Sequence, residues 1–284
     1  MAEKLKDIQS ADTVSDESGR QYHIGVAPGE LAEYIIVVGD PDRPAKAKRF
    51  FDEIQGEWHN REFNTITGKV NDFEISIMST GIGTDNVEIC MIEIMQITKN
   101  PTIIRAGSCG GLQEFINVGD LVISTGAVRV ENTSDFFVPP GYPSIANSEV
   151  VMALVEAAEF IGVKYHIGLT ATASGFYGAQ GRKIPGITMR YPTLPDDLAK
   201  INVYNFEMES SALFNLGQVM KIRTGTICAV YANRPKGEFI PVEMKKKVEE
   251  QNLKAAFEAF KVLRQMDQKK KEKDKKHWFP SLGL

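Results

Sequence analysis

The sequence has few cysteines and no long apolar run. Its three cysteines, Cys90, Cys109 and Cys228, are widely separated and form no C-x-x-C pair, which argues against a disulfide framework or a zinc site. No segment approaches the roughly 20 consecutive apolar residues that cross a bilayer, and the polar residues 1–20 contain no signal-peptide core. We therefore expect reduced thiols and a cytoplasmic location.

An excess of basic residues is also missing. The chain has 33 Lys and Arg against 37 Asp and Glu, a net charge of −4, which disfavours nucleic acid as the main partner. The lysine-rich stretch at residues 268–276 also contains Glu272 and Asp274, so we expect a solvated end of the last helix rather than a polyanion or membrane site. The 43% apolar and 25% charged residues are typical of a globular protein.

Short apolar runs alternate with segments of helical spacing. The run at residues 34–38 (YIIVV) predicts a buried strand ending at Gly39, and a helix is expected from Pro44. Further strands are predicted at 73–79, 102–105, 121–125, 167–171 and 224–231. Further helices are predicted at about 87–95, 149–161 and 242–266, and another follows residues 205–209 and runs through Met220.

This alternation predicts a single-domain α/β fold, a three-layer αβα sandwich with a mixed, largely parallel central sheet. We expect a flexible extension at residues 1–20, the domain at 21–266 and a lysine-rich tail at 267–284.

Three glycine loops follow predicted strands, at residues 39–43 (GDPDR), 80–83 (TGIG) and 105–111 (RAGSCGG). Glycine lets backbone N–H groups approach an anion, and a guanidinium fork fits phosphate oxygens. Each loop alone is more typical of a tight turn that joins a strand to a helix, but three loops with Arg43 and Arg105 favour a phosphate-sized anion at the carboxyl ends of the strands. No G-x-x-x-x-G-K-[ST] motif is present, and Gly81-Ile82-Gly83 lacks the third Rossmann glycine, which disfavours a triphosphate or dinucleotide.

Two further clusters suggest recognition of an organic ligand. Residues 176–182 (FYGAQGR) combine an aromatic ring, a carboxamide and a guanidinium, which suit a flat polar heterocycle, although alone they are also typical of a surface loop. Residues 205–210 (NFEMES) place Glu207 and Glu209 two residues apart, where we expect a further strand to end before the helix that runs to Met220. These carboxylates can accept hydrogen bonds from vicinal hydroxyls, or they can be charges at a helix N-terminus.

These stretches, with residues 79–83 (STGIG) and 118–122 (VGDLV), resemble the motif series of the nucleoside phosphorylase I family, and within it the bacterial-type members that act on uridine. Their order and spacing agree from about residue 23 to 258. The resemblance implies a nucleoside phosphorylase-like fold and reversible phosphorolysis of uridine to uracil and ribose 1-phosphate. It implies inorganic phosphate as co-substrate, no metal or organic cofactor, and a homodimer or hexamer with shared active sites.

The resemblance also assigns roles to matched positions. The expected phosphate-binding residues are Gly39, Arg43, Arg105 and Ser108, with Arg61 from a neighbouring subunit. The expected ribose-binding residues are Met208, Glu209 and the neighbour's His23. The expected base-binding residues are Phe176, Gln180, Arg182 and the supporting Glu207, while Arg234 falls where the family has an arginine that shapes the pocket and its lid. The residues expected to act in catalysis are Arg43, Arg105, Arg182 and Glu209.

Several positions depart from the family pattern. Ser108 stands where most members have threonine, which keeps the hydroxyl, and Cys109 and Ala179 are also unusual there. Asn86 replaces a serine expected at the family's cation site between subunits, which puts that site in doubt.

Three other functions are weighed against uridine phosphorolysis. A purine nucleoside phosphorylase is expected to carry an aspartate where this chain reads Ala232-Asn233-Arg234. A nucleosidase that uses water has no need of several phosphate-binding arginines. A non-catalytic nucleoside-binding protein of the same fold is disfavoured by the presence of Gln180, Arg182 and Glu209.

Overall fold

The computed structural model describes residues 12–283. The strands are β1 (Tyr34–Val38), β2 (Glu53–Asn60), β3 (Phe63–Val70), β4 (Phe73–Ser79), β5 (Thr102–Gly111), β6 (Leu121–Val130), β7 (Ser144–Ile145), β8 (Tyr165–Ala173), β9 (Val203–Glu207), β10 (Arg223–Asn233) and β11 (Glu238–Phe239). The helices are α1 (Arg43–Ala47), α2 (Thr84–Ile97), α3 (Ser148–Ile161), α4 (Leu194–Lys200), α5 (Ser210–Val219) and α6 (Val242–Glu272).

Five strands of the sheet close into a ring. Strand β10 pairs with β5 in parallel and with β6 in antiparallel orientation. Strand β8 pairs in parallel with β6 and with β9, and β9 pairs back to β5. Strands β1, β4, β3 and β2 extend the sheet from β5 as an open wing. The predicted mixed sheet is therefore confirmed. At its centre, β1 pairs in parallel with β4 on one side and with β5 on the other.

Helices cover the sheet on two sides. One core cluster packs α1, α3 and α6 against the strands, with Ala47, Leu154 and Phe260 fully buried. A second cluster packs α2 and α5 against the sheet through residues such as Met91 and Leu213. Apolar residues on one face of each helix explain this burial, because a helix must cover its apolar stripe against another element. The structure thus confirms the predicted three-layer αβα sandwich.

The prediction of a helix from Pro44 was only partly right. The helix α1 ends at Ala47, a 3-10 turn follows at Lys48–Phe50, and β2 and β3 then form an antiparallel hairpin that the sequence analysis did not contain. Strand β2 lies at the edge of the sheet and is mostly exposed, so its sequence (EIQGEWHN) lacks the buried, apolar alternation that marks a strand.

The described part of the N-terminal extension and the C-terminal tail both contact the domain. Arg20 donates two hydrogen bonds of 2.8 Å to the Glu30 carboxylate. Helix α6 runs to Glu272, past the predicted end at residue 266. The backbone N–H of Trp278 then donates to Glu149 Oε1 at 3.1 Å. Residues 1–11 and 284 lie outside the described residues, and the predicted domain boundaries stay predictions.

Within residues 12–283, no helix is long and apolar enough to cross a membrane.

Candidate active site

A cavity of about 780 Å³ opens where the carboxyl ends of several strands meet. The three glycine loops contribute to it, because β1 ends before Gly39, β4 ends before Gly81, and β5 contains residues 105–111. The loop after β8 and the segment after β9 complete the wall. Every site residue expected from the sequence lines this cavity except His23, Arg61 and Arg234.

Four of the residues expected to bind phosphate line the cavity, namely Gly39, Arg43, Arg105 and Ser108. Arg43 is the first residue of α1 and is 5% exposed. Its Nη1 donates to the carbonyl oxygen of Ala106 at 3.0 Å, which ties the first glycine loop to the third. A Cβ at Gly39 would lie 3.1 Å from the carbonyl oxygen of Gly81, so a side chain there would crowd the second loop. The half-buried Ser108 lies on β5 and lines the same cavity.

Arg105 forms the electrostatic centre of the cavity. Its side chain is buried and pairs with Glu209 and, at 3.3 Å, with Glu207. Its Nη1 also donates to Cys228 Sγ at 3.2 Å. Burial alone would lower the pKa of Arg105, but Glu209, Cys228 and Glu207 outweigh burial and raise it. Arg105 therefore remains cationic in the folded protein.

The two carboxylates of residues 205–210 have different partners. Glu207 is fully buried and accepts hydrogen bonds from the backbone N–H groups of Glu209 and Ser210 at the start of α5. Burial raises the pKa of Glu207, although Arg105 partly offsets that rise. Thus the helix N-terminus interpretation, left open by the sequence, describes Glu207 well. Glu209 instead accepts from the backbone N–H of Gly83 at 2.8 Å and pairs with Arg105.

The loop after β8 supplies an aromatic and polar end to the cavity. The guanidinium of Arg182 lies over the Phe176 ring, 3.8 Å from its centroid. Gln180 is 4% exposed, and its Oε1 receives a long 3.5 Å contact from Arg182 Nη2. Burial and the nearby positive charge of Arg234 lower the pKa of Arg182. Arg234 lies outside the lining, next to Gly110, where its Cγ is 3.8 Å from the Cβ position of that glycine.

His23 and Arg61 lie together on a surface outside the cavity. Arg61 sits in the turn between β2 and β3 with φ of 54° and packs over the Tyr22 ring at 5.0 Å. The Tyr22 ring is 4.8 Å from the His23 ring. The Nδ1 atom of His23 lies 2.6 Å from Glu93 Oε1. A carboxylate partner at Nδ1 leaves Nε2 as the outward nitrogen. In one subunit, therefore, these two residues do not meet the other site residues.

The cavity also contains residues that the sequence analysis did not single out. Tyr231 on β10 and Phe239 on β11 line it, and burial raises the pKa of Tyr231 to about 12. Asn86, where the family resemblance led us to expect a serine, also lines the cavity, and its Nδ2 donates to Glu62 Oε1 at 3.1 Å. No sequence signal identified Tyr231 or Phe239, because Tyr231 ends an apolar run that is equally typical of a core, and the exposed Phe239 belongs to a strand of only two residues.

Comparisons with known proteins agree with this architecture. Residues 33–263 match the Phosphorylase superfamily. The chain is 42% identical to a uridine phosphorylase of Thermococcus kodakarensis, across 96% of this chain and 97% of that protein. It is 33% identical to a uridine phosphorylase of Treponema pallidum, across 86% and 94% of the two chains.

A solved nucleoside phosphorylase structure from Trypanosoma brucei superposes with a TM-score of 0.81 at 24% identity. It covers 87% of this chain and 99% of that one, and at this identity it supports the fold alone. The matched span contains all three glycine loops, the base-type loop and the two carboxylates. The chain therefore belongs to the Phosphorylase superfamily.

Proposed function

We propose that this chain catalyses the reversible phosphorolysis of uridine, which yields uracil and ribose 1-phosphate. The observation that carries the proposal is that one cavity is lined both by the buried Arg43 and Arg105 and by Gln180 and Arg182. Arginines suit a phosphate nucleophile, and the carboxamide and guanidinium suit a uracil ring. Relatives named uridine phosphorylase align over most of the chain, which supports the same reaction here.

Phosphate is proposed to bind at the end of the cavity formed by Arg43, Arg105, Ser108 and Gly39. The first two residues supply positive charge, Ser108 a hydroxyl, and the backbone near Gly39 a close approach. Inorganic phosphate enters as co-substrate, and the proposed reaction takes place between phosphate, the nucleoside and side chains of the protein.

Ribose is proposed to lie against Met208 and Glu209. A carboxylate has about four acceptor positions, and in Glu209 the backbone N–H groups of Gly83 and Met208 and the guanidinium of Arg105 take three of them. At least one acceptor position thus remains for a ribose hydroxyl.

Uracil is proposed to stack near Phe176 and to bond to Gln180 and Arg182, while Glu207 supports the pocket through its contact with Arg105. In the reaction, a phosphate oxygen bonds to C1′ as the bond from C1′ to N1 of the base breaks. The bonding electron pair leaves with uracil as an anion, which takes up the proton that the attacking HPO4²⁻ gives up, so the products are neutral uracil and the ribose 1-phosphate dianion. Arg182 and Gln180 are placed to stabilise the negative charge on the base, and one such preorganised donor typically contributes about 3–4 kcal/mol. Arg234 lies close enough to Arg182 to lower its pKa and would add positive charge beside the base.

We further propose that each active site is shared between two subunits of a homodimer or of a hexamer built from dimers. The exposed Arg61 and the half-buried His23 lie on either side of the Tyr22 ring, and neither lines the cavity. A second copy that presents the surface around Tyr22 to the cavity mouth would add Arg61 to the phosphate and His23 to the ribose.

Dependence on phosphate tests the main proposal. Uracil release from uridine is measured with and without inorganic phosphate, and ribose 1-phosphate is assayed as the second product. We expect release only with phosphate and equal amounts of both products. Equal release in phosphate-free buffer would instead favour hydrolysis. Inosine serves as the purine comparison, and the absence of an aspartate in Ala232-Asn233-Arg234 leads us to expect poor cleavage.

Mixing two inactive variants tests the shared site. Arg61→Ala and Arg105→Ala are each expected to be inactive. In a mixed dimer, however, one site lacks both arginines and the other lacks neither. Random reassortment makes about half of the dimers mixed, so refolding an equimolar mixture should restore about a quarter of parental activity. Verified mixed dimers that remain inactive would contradict the shared site.

A further inference from the structure

A buried carboxylate on the last helix bonds to Arg43, the arginine proposed to bind phosphate, on the side of Arg43 that faces away from the cavity. Glu249 lies on α6, and its side chain is 7% exposed. Its Oε1 accepts a hydrogen bond of 2.8 Å from Arg43 Nε. Its Oε2 accepts one of 3.0 Å from Lys46 Nζ. Glu249 itself does not line the cavity, so it touches the proposed phosphate site only through Arg43.

These contacts fix the guanidinium plane of Arg43. Nε is bound to Glu249, and Nη1 is bound to the carbonyl oxygen of Ala106 at 3.0 Å. Two bonds to two different nitrogens of a planar group define its orientation. Both partners are themselves fixed, since one lies on α6 and the other on β5. Arg43 also lines the cavity, and Nη2 is the nitrogen that these two bonds leave for an anion.

The same face of α6 also contacts the glycine loop at residues 105–111. Asn252 lies three residues after Glu249, so the two side chains share a helix face. Asn252 Nδ2 donates to the carbonyl oxygen of Gly107 at 2.8 Å, and Gly107 lines the cavity. Helix α6 therefore contacts both α1 and β5 at the point where they form the cavity wall.

We propose that Glu249 is a positioning residue for phosphate, which acts by holding the Arg43 guanidinium toward the cavity. The inference rests on the proposed function in taking phosphate as the anion bound by Arg43. A carboxylate so close to the phosphate end also repels an anion, so its charge by itself would weaken phosphate binding. Orientation and charge therefore act in opposite directions, and substitutions can separate them.

Three variants at this position separate the two effects. Glu249→Ala removes both the charge and the acceptor oxygen. Glu249→Gln keeps an oxygen that can accept from Arg43 Nε but removes the charge. Glu249→Asp keeps the charge and withdraws the carboxylate by one methylene, and it decides the question if the alanine variant fails to fold. Glu149→Ala is the matched control, because Glu149 is a glutamate whose side chain is 12% exposed and pairs with Arg223 and Lys270, and it does not line the cavity.

Steady-state kinetics with uridine give the first readout. We expect Glu249→Ala and Glu249→Asp to raise the KM for phosphate by about tenfold or more, the loss expected for a charge-assisted contact. The KM for uridine should change less than twofold. Glu249→Gln should stay within about threefold of the parent, and the Glu149→Ala control should leave the KM for phosphate unchanged. An unchanged KM for phosphate in Glu249→Asp, or equal rises for both substrates, would overturn the proposal.

Thermal unfolding without nucleoside gives a second readout that does not need uridine cleavage. Inorganic phosphate should raise the Tm of the parent protein, because a ligand bound to the folded state stabilises it. Glu249→Asp should need about tenfold more phosphate for the same rise. Equal phosphate protection in parent and variant, or no protection of the parent, would overturn the positioning role. A parent that is protected by phosphate yet leaves uridine intact would instead overturn the proposed function alone.

Discussion

Gln180→Leu is the substitution that probes base recognition most directly. Gln180 is 4% exposed in the cavity wall, and within residues 12–283 its side chain makes one hydrogen-bond contact, a long one of 3.5 Å with Arg182 Nη2. The carboxamide therefore has a donor and an acceptor available for a uracil ring, which carries two carbonyl oxygens and an N–H. Leucine has nearly the same volume, so the change removes both polar groups with little change in packing.

The expected loss follows from the unpaired atoms of the base. Each buried polar group left without a partner costs about 1–3 kcal/mol. One lost bond then corresponds to about a fivefold to 150-fold fall in kcat/KM, and two lost bonds to about thirtyfold or more. We therefore expect kcat/KM for uridine to fall at least tenfold, while the KM for phosphate stays within about twofold.

Initial rates of uracil release, measured over ranges of uridine and of phosphate, provide the assay. Gln55→Leu is the matched control, since Gln55 is an exposed residue of β2 whose side chain bonds to Glu74 and does not line the cavity. It should behave as the parent in both kinetic constants. Unchanged kinetics of Gln180→Leu with uridine, while inosine remains a poor substrate, would show that this side chain does not contact the base.

Three further substitutions test other parts of the structure. Glu93→Gln should lower kcat/KM for uridine about tenfold, because the Glu93 carboxylate holds His23 Nδ1; unchanged kinetics in a folded variant would contradict this. Phe260→Ala should lower the free energy of unfolding by about 3–5 kcal/mol in urea titration, because Phe260 is fully buried; a loss below about 1 kcal/mol would refute it. Burial raises the pKa of Asp267, but its bonds to Arg223 outweigh burial and keep that pKa low. Asp267→Asn should therefore be less stable than the parent at pH 7, and the difference should vanish as the pH falls through that lowered pKa, whereas a difference independent of pH would contradict it.

Elements with a strong apolar pattern could be predicted from the sequence. Strand β1 was predicted at its observed bounds, and α3 was predicted one residue short of its true start. Strand β1 is a continuous apolar run, buried from Ile35 to Val38, whereas the buried apolar residues of α3 recur with the helical period. The β2 and β3 hairpin could not be predicted, because β2 is exposed and polar and its pairing with β3 gives it its structure.

The candidate site divides in the same way. The glycine loops and the residues 176–182 stand out in the sequence because glycine, arginine and glutamine seldom cluster without a reason in backbone geometry or binding. The role proposed for Glu249 could not be predicted from the sequence, since Glu249 lies 206 residues from Arg43 on a helix rich in charged residues. Only the packing of α6 against α1 and β5 brings its carboxylate to that arginine.

The closed ring of five strands imposes an order on how the chain reaches its native state. Within the ring, β5 pairs with β10, and this pairing places Thr102 beside Arg223, a residue 121 positions away in the sequence. Joining such distant segments costs loop entropy before contacts compensate, so chains rich in these pairings fold slowly. Arg105 lies opposite Thr226 in the same pairing, and the cavity is incomplete until the two strands meet. Catalytic competence should accordingly return in the slowest refolding phase, well after the helices have formed.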